Sequence, residues 1–173
     1  PSSYMMLDAQ TRRNLELFQS ERWGNTSNSL LGTLNLTDTP MGGRLLRVWI
    51  GQPLLDINAL KRRQDVVDVL YHDQILRESI KETLKEIPDL ERILNRIVSG
   101  IAIPREVISL KNGLLAMGKL ERILQQSSNY STLIAKELNP CTEVISLVEK
   151  SLEDVNTYET SHSQIIRTGI IVL

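Results

Sequence analysis

Cysteine and histidine are both scarce in this sequence, and each scarcity argues against a class of function. Cys141 is the single cysteine among 173 residues. That argues against an internal disulfide framework and a thiolate metal cluster, as a reducing cytoplasm would permit. Cys141 is expected as a small, buried apolar filler. The two histidines, His72 and His162, have no second histidine or cysteine at ligand spacing, so no metal site is expected. His72 lies in the Tyr71-His72-Asp73 junction, where it reads as a turn residue or helix C-terminal cap. His162 lies between serines, without the orienting group and oxyanion site a hydrolase needs, and reads as an exposed loop residue.

An excess of either charge is also missing. Twenty basic residues face twenty-one acidic ones, for a net charge of −1. No global positive field therefore draws the chain to a phosphate backbone or an anionic membrane. No apolar run approaches the roughly 20 residues that cross a bilayer, and the N-terminus lacks a basic-then-apolar signal pattern. A soluble, cytoplasmic protein with no membrane partner is expected. On that expectation, the Asn-x-Ser/Thr triplets at Asn25, Asn35 and Asn129 are chance matches without glycans. With 41% hydrophobic and 24% charged residues, the chain has the makings of one sizeable core. It opens at Pro1 and closes on Ile170-Ile171-Val172-Leu173. An apolar, β-branched ending is unlike most chain termini, so residues 1–173 read as one excised domain.

What the sequence does have is helical periodicity. Leu90, Ile93, Leu94, Ile97, Val98 and Ile101 follow the three-and-four spacing of one helical stripe. A second stripe runs from Ile103 through Val107, Leu110, Leu114, Met117 and Leu120 to Leu124. Ile57, Leu60, Val67 and Leu70 mark an earlier helix, Leu76, Ile80, Leu84 and Ile87 another, and Ile145, Val148 and Leu152 a late, short one. Thr39-Pro40 reads as a cap followed by a first-turn proline, Asn139-Pro140 as a repeat of that device, and Asp56 as the cap after Pro53. Pro88 and Pro104 separate three successive helices, and short connections of this kind favour antiparallel neighbours. The predicted fold is therefore mainly α, an antiparallel helical bundle. One or two short strands near the ends, Asn14 to Phe18 and Ile165 to Leu173, are predicted from alternation and β-branched content. Gln19 to Ser29 is polar and turn-rich and reads as an exposed loop.

Chemistry is sparse. Gly113 to Lys119 matches the first seven positions of a phosphate-binding P-loop, but Leu120 stands where a magnesium-binding Ser or Thr belongs. The run also continues the stripe begun at Val107 instead of following a strand, so no nucleotide site is expected there. Arg44 and Arg47, with Arg62 and Arg63 on the next helix, are weighed as a phosphate patch. A solvated or interdomain face paired with carboxylates such as Asp65 and Asp68 is the preferred reading. Arg92 and Arg96, near Asp89 and Glu91, read as the polar side of a helix. Trp49, within Leu45-Leu46-Arg47-Val48-Trp49, is expected buried. Trp23 is expected to cover a core edge or touch a domain outside this sequence.

Two dense motifs precede most of these helices: LDAQTRRNLELF from Leu7, and SLLGTLNLTDTPMGGRLLRVWIGQPL from Ser29. Together they resemble the opening of the core (lever) domain of bacterial MutS, the DNA mismatch-recognition ATPase family. The residues that carry the resemblance are Leu7, Asp8, Thr11, Arg12, Arg13, Asn14, Leu15, Glu16 and Leu17, then Ser29, Leu30, Leu31 and Thr37. Thr39, Pro40, Met41, Gly42, Arg44, Leu45, Leu46, Arg47 and Trp49 follow, with Gln52, Pro53, Leu54 and Asp56 after them. Arg63, Asp65, Val67, Asp89 to Ile93 and Arg96 are similar further on. The resemblance extends over about Leu7 to Leu124 and continues as pattern only. Asn35, Gly43 and Ile170 depart from the family's usual aspartate, larger side chain and tyrosine.

The resemblance implies a mechanical part. In this family the core joins mismatch-reading and connector domains to the ATPase and carries the DNA-embracing clamp. No catalytic residue, metal or cofactor is then expected within this chain, and ATP and Mg belong to an ATPase domain outside it. The implied partners are the other domains of the parent protein, mismatched duplex DNA through that parent, a second copy as homodimer, and a MutL-type protein. Two other readings stand beside it: a helical protein-interaction module, and the core of a MutS homologue acting in recombination.

Overall fold

The computed structural model describes residues 3–20, 24–127 and 138–152. Among them are eight helices: α1 (Ala9–Asn14), α2 (Leu30–Leu34), α3 (Pro40–Gly51), α4 (Ile57–His72), α5 (Gln74–Lys85), α6 (Leu90–Val98), α7 (Pro104–Gln126) and α8 (Thr142–Ser151). They group into two compact units, residues Pro1–Arg77 and Glu78–Leu173. The fold is mainly α.

Helix starts in the first unit are set by short polar side chains. Asp8, Ser29, Thr39 and Asp56 cap α1, α2, α3 and α4 by accepting from backbone amides one turn on, which satisfies donors that have no intrahelical partner. Thr39 accepts from the Gly42 amide at 3.0 Å, and Pro40 takes the first helical position, where its missing N–H costs nothing. Asp56 caps α4 as expected, accepting from Asn58 and Ala59. At the far end of α4, His72 Nδ1 lies 2.9 Å from the Asp68 carbonyl, in the last-turn position foreseen for it.

In the second unit, α7 packs against both α6 and α8. The core is Ile93, Leu110, Leu114 and Ile145, with Leu90, Ile97 and Met117 against it. Each such aliphatic side chain contributes about 1.5–3 kcal/mol when fully buried. The connection from α6 to α7 is closed at both ends. Gly100, at φ +68, lets the Ile101 amide reach the Arg96 carbonyl at 3.1 Å and the Gly100 amide the Ile97 carbonyl at 3.0 Å, the paired bonds of a left-handed helix stop. Ile101 is therefore outside the helix that its periodicity had extended to it. Pro104 then opens α7, and Glu106 reaches back to the Ile103 amide at 3.0 Å.

Three expectations are corrected. The strand placed at Asn14 to Phe18 does not form: Asn14 ends α1 and Glu16 turns the chain at φ 46. Its alternation covers only five residues, and the capped helix before it leaves no partner strand to pair with. Among the described residues, extended pairing occurs instead as a bridge between Tyr4 and Leu54, with the Met5 amide donating to Pro53 O at 2.8 Å. Asn139 does not cap a helix at Pro140; its Oδ1 accepts from the Cys141 amide at 2.9 Å, turning the chain one step before α8 starts at Thr142. Cys141 occupies that turn at φ 50 and is exposed, not buried. The Ile165 to Leu173 strand, Trp23 and His162 lie outside the described residues. In the Gln19 to Ser29 loop, residues 24–28 are exposed, while Ser20 and Ser29 are buried anchors.

Candidate functional site

The two motifs converge in the first unit. Asp8 Oδ1 accepts from the Thr11 amide at 2.6 Å, and that bond holds its carboxyl below the usual carboxylate range. The helix it starts lasts six residues. Leu15 closes it, and Glu16 adopts the left-handed conformation, so that the Glu16 amide reaches Arg13 O at 2.8 Å and the Leu17 amide Arg12 O at 3.1 Å. A non-glycine residue there costs roughly 1 kcal/mol, and the gain is directional. Leu17 turns inward to 5% exposure while Leu15 stays 58% exposed. The turned backbone also presents its carbonyls to α2, accepting the Leu30 amide at Glu16 O (3.0 Å) and the Leu31 amide at Leu17 O (2.9 Å). Arg13 and Asn14 sit at the exposed end of α1, where Asn14 Oδ1 accepts from Gln10 at 2.6 Å. Leu7 is half-buried ahead of the cap.

The same turn meets the end of α3. Arg12 Nη2 donates to Gly51 O at 3.4 Å, across 39 positions of sequence. Gly51 is buried, and a Cβ there would stand 3.0 Å from Phe18 Cζ, so a side chain at this position would press the ring aside. The Arg47 guanidinium lies 4.3 Å from the centre of that Phe18 ring. Phe18 is thus held between a glycine backbone and an arginine plane, which joins the first motif to the second. Phe18 and Gly51 were not singled out in the sequence; Phe18 being the only phenylalanine was the available signal.

Further around α3, the Arg63 guanidinium of α4 lies 3.7 Å from the centre of the Trp49 ring. Trp49 remains 40% exposed, beside Leu45 at 50% and Val48 at 52%. The expectation of a buried Trp49 is corrected: a cation lies over one ring face and the residue stays partly exposed. Leu46 is half-buried on the inner side, Gly42 sits against the Thr39 cap, and Pro53 is tied down through the Met5 amide. Arg44 and Arg47 line an open groove of 510 Å³ with Asn35, Thr37, Asp38 and Thr39. Asp68, one of the carboxylates expected beside the α4 arginines, faces His72 at 3.4 Å.

In the second unit, the P-loop look-alike is the middle of α7. Gly113, Leu114 and Ala116 are buried, and Lys119 Nζ meets Glu86 Oε1 at 2.6 Å. A helix interior offers no ring of free amides to a phosphate. Arg96 pairs with Glu106 at 2.6 Å. Its guanidinium and the Ile103 amide together hold the Glu106 carboxyl below its ordinary value near 4.5. Among the described residues no group of His, Cys, Asp and Glu is arranged to hold a metal ion, and no helix is long and apolar enough to cross a membrane.

A model of the family described as MutS domain III matches residues 10–168. Similar curated proteins include the DNA mismatch repair protein MutS of Roseiflexus castenholzii, 48% identical over 127 residues, which are 72% of this chain and 12% of that protein. The protein of the same name from Pelotomaculum thermopropionicum is 38% identical over 171 residues, 98% of this chain and 20% of that protein. The one from Caldanaerobacter subterraneus subsp. tengcongensis is 37% identical over 169 residues, 97% of this chain and 19% of that protein. The chain thus spans a fifth or less of the length of these relatives.

Proposed function

Because the chain belongs to the MutS domain III family, we propose that it is the helical core of a DNA mismatch-recognition ATPase, transmitting movement between the domains that hold DNA and the domain that hydrolyses ATP. It contributes rigidity and no chemistry of its own. ATP and Mg bind elsewhere in the longer protein, mismatched duplex is gripped by other domains, and the parent works as a homodimer with a MutL-type partner.

The observation that carries this reading is the lock between the two motifs: Arg12 on Gly51 O, with Phe18 seated between Gly51 and Arg47. A mechanical element has to move as one piece, and it needs discrete packed contacts that resist continuous deformation. Here residues far apart in sequence are joined through groups whose replacement changes packing without removing a reactive atom.

The test is made in the full-length protein with Gly51→Val, which displaces Phe18. Stimulation of ATP turnover by a G·T-mismatched duplex is expected to fall about fivefold or more, the scale of an allosteric coupling, while turnover without DNA stays within about twofold. Unchanged stimulation, or equal loss of both rates, overturns the reading. The 173-residue chain alone, followed by fluorescence anisotropy across a salt series, is expected to bind duplexes weakly and without mismatch preference.

A further inference from the structure

Nothing in the local sequence stops α1 where it stops. Residues 9–23 contain no glycine and no proline, and Leu15, Glu16 and Leu17 follow as further helix formers. The helix nevertheless ends at Asn14, with Glu16 left-handed at φ 46, a position where glycine or asparagine is usual. The two local bonds of this stop, Glu16 amide to Arg13 O and Leu17 amide to Arg12 O, do not decide the matter. In a continued helix the same two amides would bond to the same two carbonyls with the acceptors exchanged, Glu16 to Arg12 and Leu17 to Arg13. What favours the turn lies elsewhere: the Leu30 and Leu31 amides on the Glu16 and Leu17 carbonyls, the burial of Leu17, Phe18 beside Gly51, and the Ser20 hydroxyl donating to Glu16 Oε1 at 3.2 Å.

We propose that the Glu16 turn is a two-state latch on the lock between the motifs. When Glu16 enters the right-handed region, its amide and that of Leu17 exchange acceptors and α1 runs on through Phe18. The number of local hydrogen bonds is unchanged, and the left-handed strain at Glu16 is relieved. The cost is long-range: the first amides of α2 lose their acceptors, Leu17 rotates out of the core, and Phe18 leaves Gly51 and Arg47. A segment whose local preference opposes its tertiary contacts keeps a second arrangement within reach. The exchange is one for one, so it yields two discrete forms, which is the kind of element that carries coupling between distant sites.

The inference rests on the functional reading only in where the latch acts, in a parent whose ATP turnover answers to mismatched duplex. It is tested in the full-length protein with the double variant Leu15→His, Gln19→His. Both positions are exposed and lie four apart across Glu16, so the two imidazoles share one face and bind zinc together when the helix runs through. Zinc is expected to speed deuterium exchange at the Leu30 and Leu31 amides about fivefold or more and to lower mismatch-stimulated turnover, and to do neither in Leu15→His alone. Adding Glu16→Gly should raise the zinc concentration needed about fivefold, because glycine accepts the left-handed turn and disfavours the helix. No acceleration by zinc, or an acceleration that Glu16→Gly does not weaken, overturns the latch. Exchange that answers to zinc while mismatch stimulation does not leaves the latch standing and overturns the functional reading. Should the double variant not fold, Glu16→Gly and Glu16→Ala are compared directly: exchange at Leu30 and Leu31 is expected slower in the first and faster in the second, and equal rates or the reverse order overturn the proposal.

Discussion

The Arg63 guanidinium carbon of α4 lies over the ring of Trp49 of α3, 3.7 Å from its centre, at positions fourteen apart in the sequence. The stack ties the two helices by a contact that is electrostatic on the ring face and apolar along the arginine stem. Replacing Arg63 by Gln is expected to lower stability by about 0.5–1 kcal/mol. Thermal denaturation followed by Trp fluorescence in a Trp23→Phe background measures both the loss and the altered ring environment. An Arg63→Lys variant should recover only part, since an ammonium does not stack.

Gly113 and Gly118 lie on the same helix and should respond in opposite ways to alanine. A Cβ at Gly113 would come within 2.8 Å of both Leu90 Cδ2 and Pro88 Cδ, whereas one at Gly118 would meet Pro140 Cβ at an ordinary 3.5 Å. Gly113→Ala is expected to destabilise by about 1–3 kcal/mol through overpacking, despite the better helix propensity of alanine. Gly118→Ala is expected to stabilise by about 0.5–1 kcal/mol. Urea denaturation of the two variants decides the matter.

Acid should loosen the α6–α7 connection. Glu106 is held below its ordinary value near 4.5 by Arg96 and the Ile103 amide, so its folded carboxyl has the lower pKa. Such a group stabilises the fold above its unfolded pKa and loses that contribution as pH falls through the folded value. Glu106→Gln is therefore expected to flatten the decline of melting temperature below about pH 4.5, the ordinary value, and to lower stability at neutral pH. An unchanged slope between wild type and variant would count against the pair.

Leu124, at the C-terminal end of α7, is 2% exposed. Leu124→Ala is expected to cost about 2–5 kcal/mol, the transfer term plus the cavity left behind. Calorimetry on the purified chain would show it, and loss of a cooperative transition would mark the upper end.

Equilibrium dialysis with ATP is expected to show no binding to this chain. Lys119 is engaged by Glu86 at 2.6 Å, and the glycines before it lie within α7. Binding that disappears in Lys119→Ala would reverse that assignment.

Much of the fold was legible because its signals are local. Thr39, Asp56, Pro88 and Pro104 act within one helical turn of themselves, and the apolar stripes of α6 and α7 need only the helix repeat. The turn at Glu16 was not legible: its alternation mimics a strand, and the left-handed residue is not a glycine. Likewise nothing in the spacing of Arg12 and Gly51, or of Phe18 and Arg47, announces that they meet.

By itself, then, the sequence determined the helical class, the capped starts of α3 and α4, the separation of α5, α6 and α7, and the motifs that carry the family resemblance. These depend on bonds closed within a few residues. Only the tertiary structure decided that Cys141 is exposed in a turn, that Trp49 lies beneath the Arg63 guanidinium and stays partly exposed, and that Phe18 fits against Gly51. Those outcomes follow from which helix faces meet, and that is set by the balance of burial and cation placement between segments far apart in the chain.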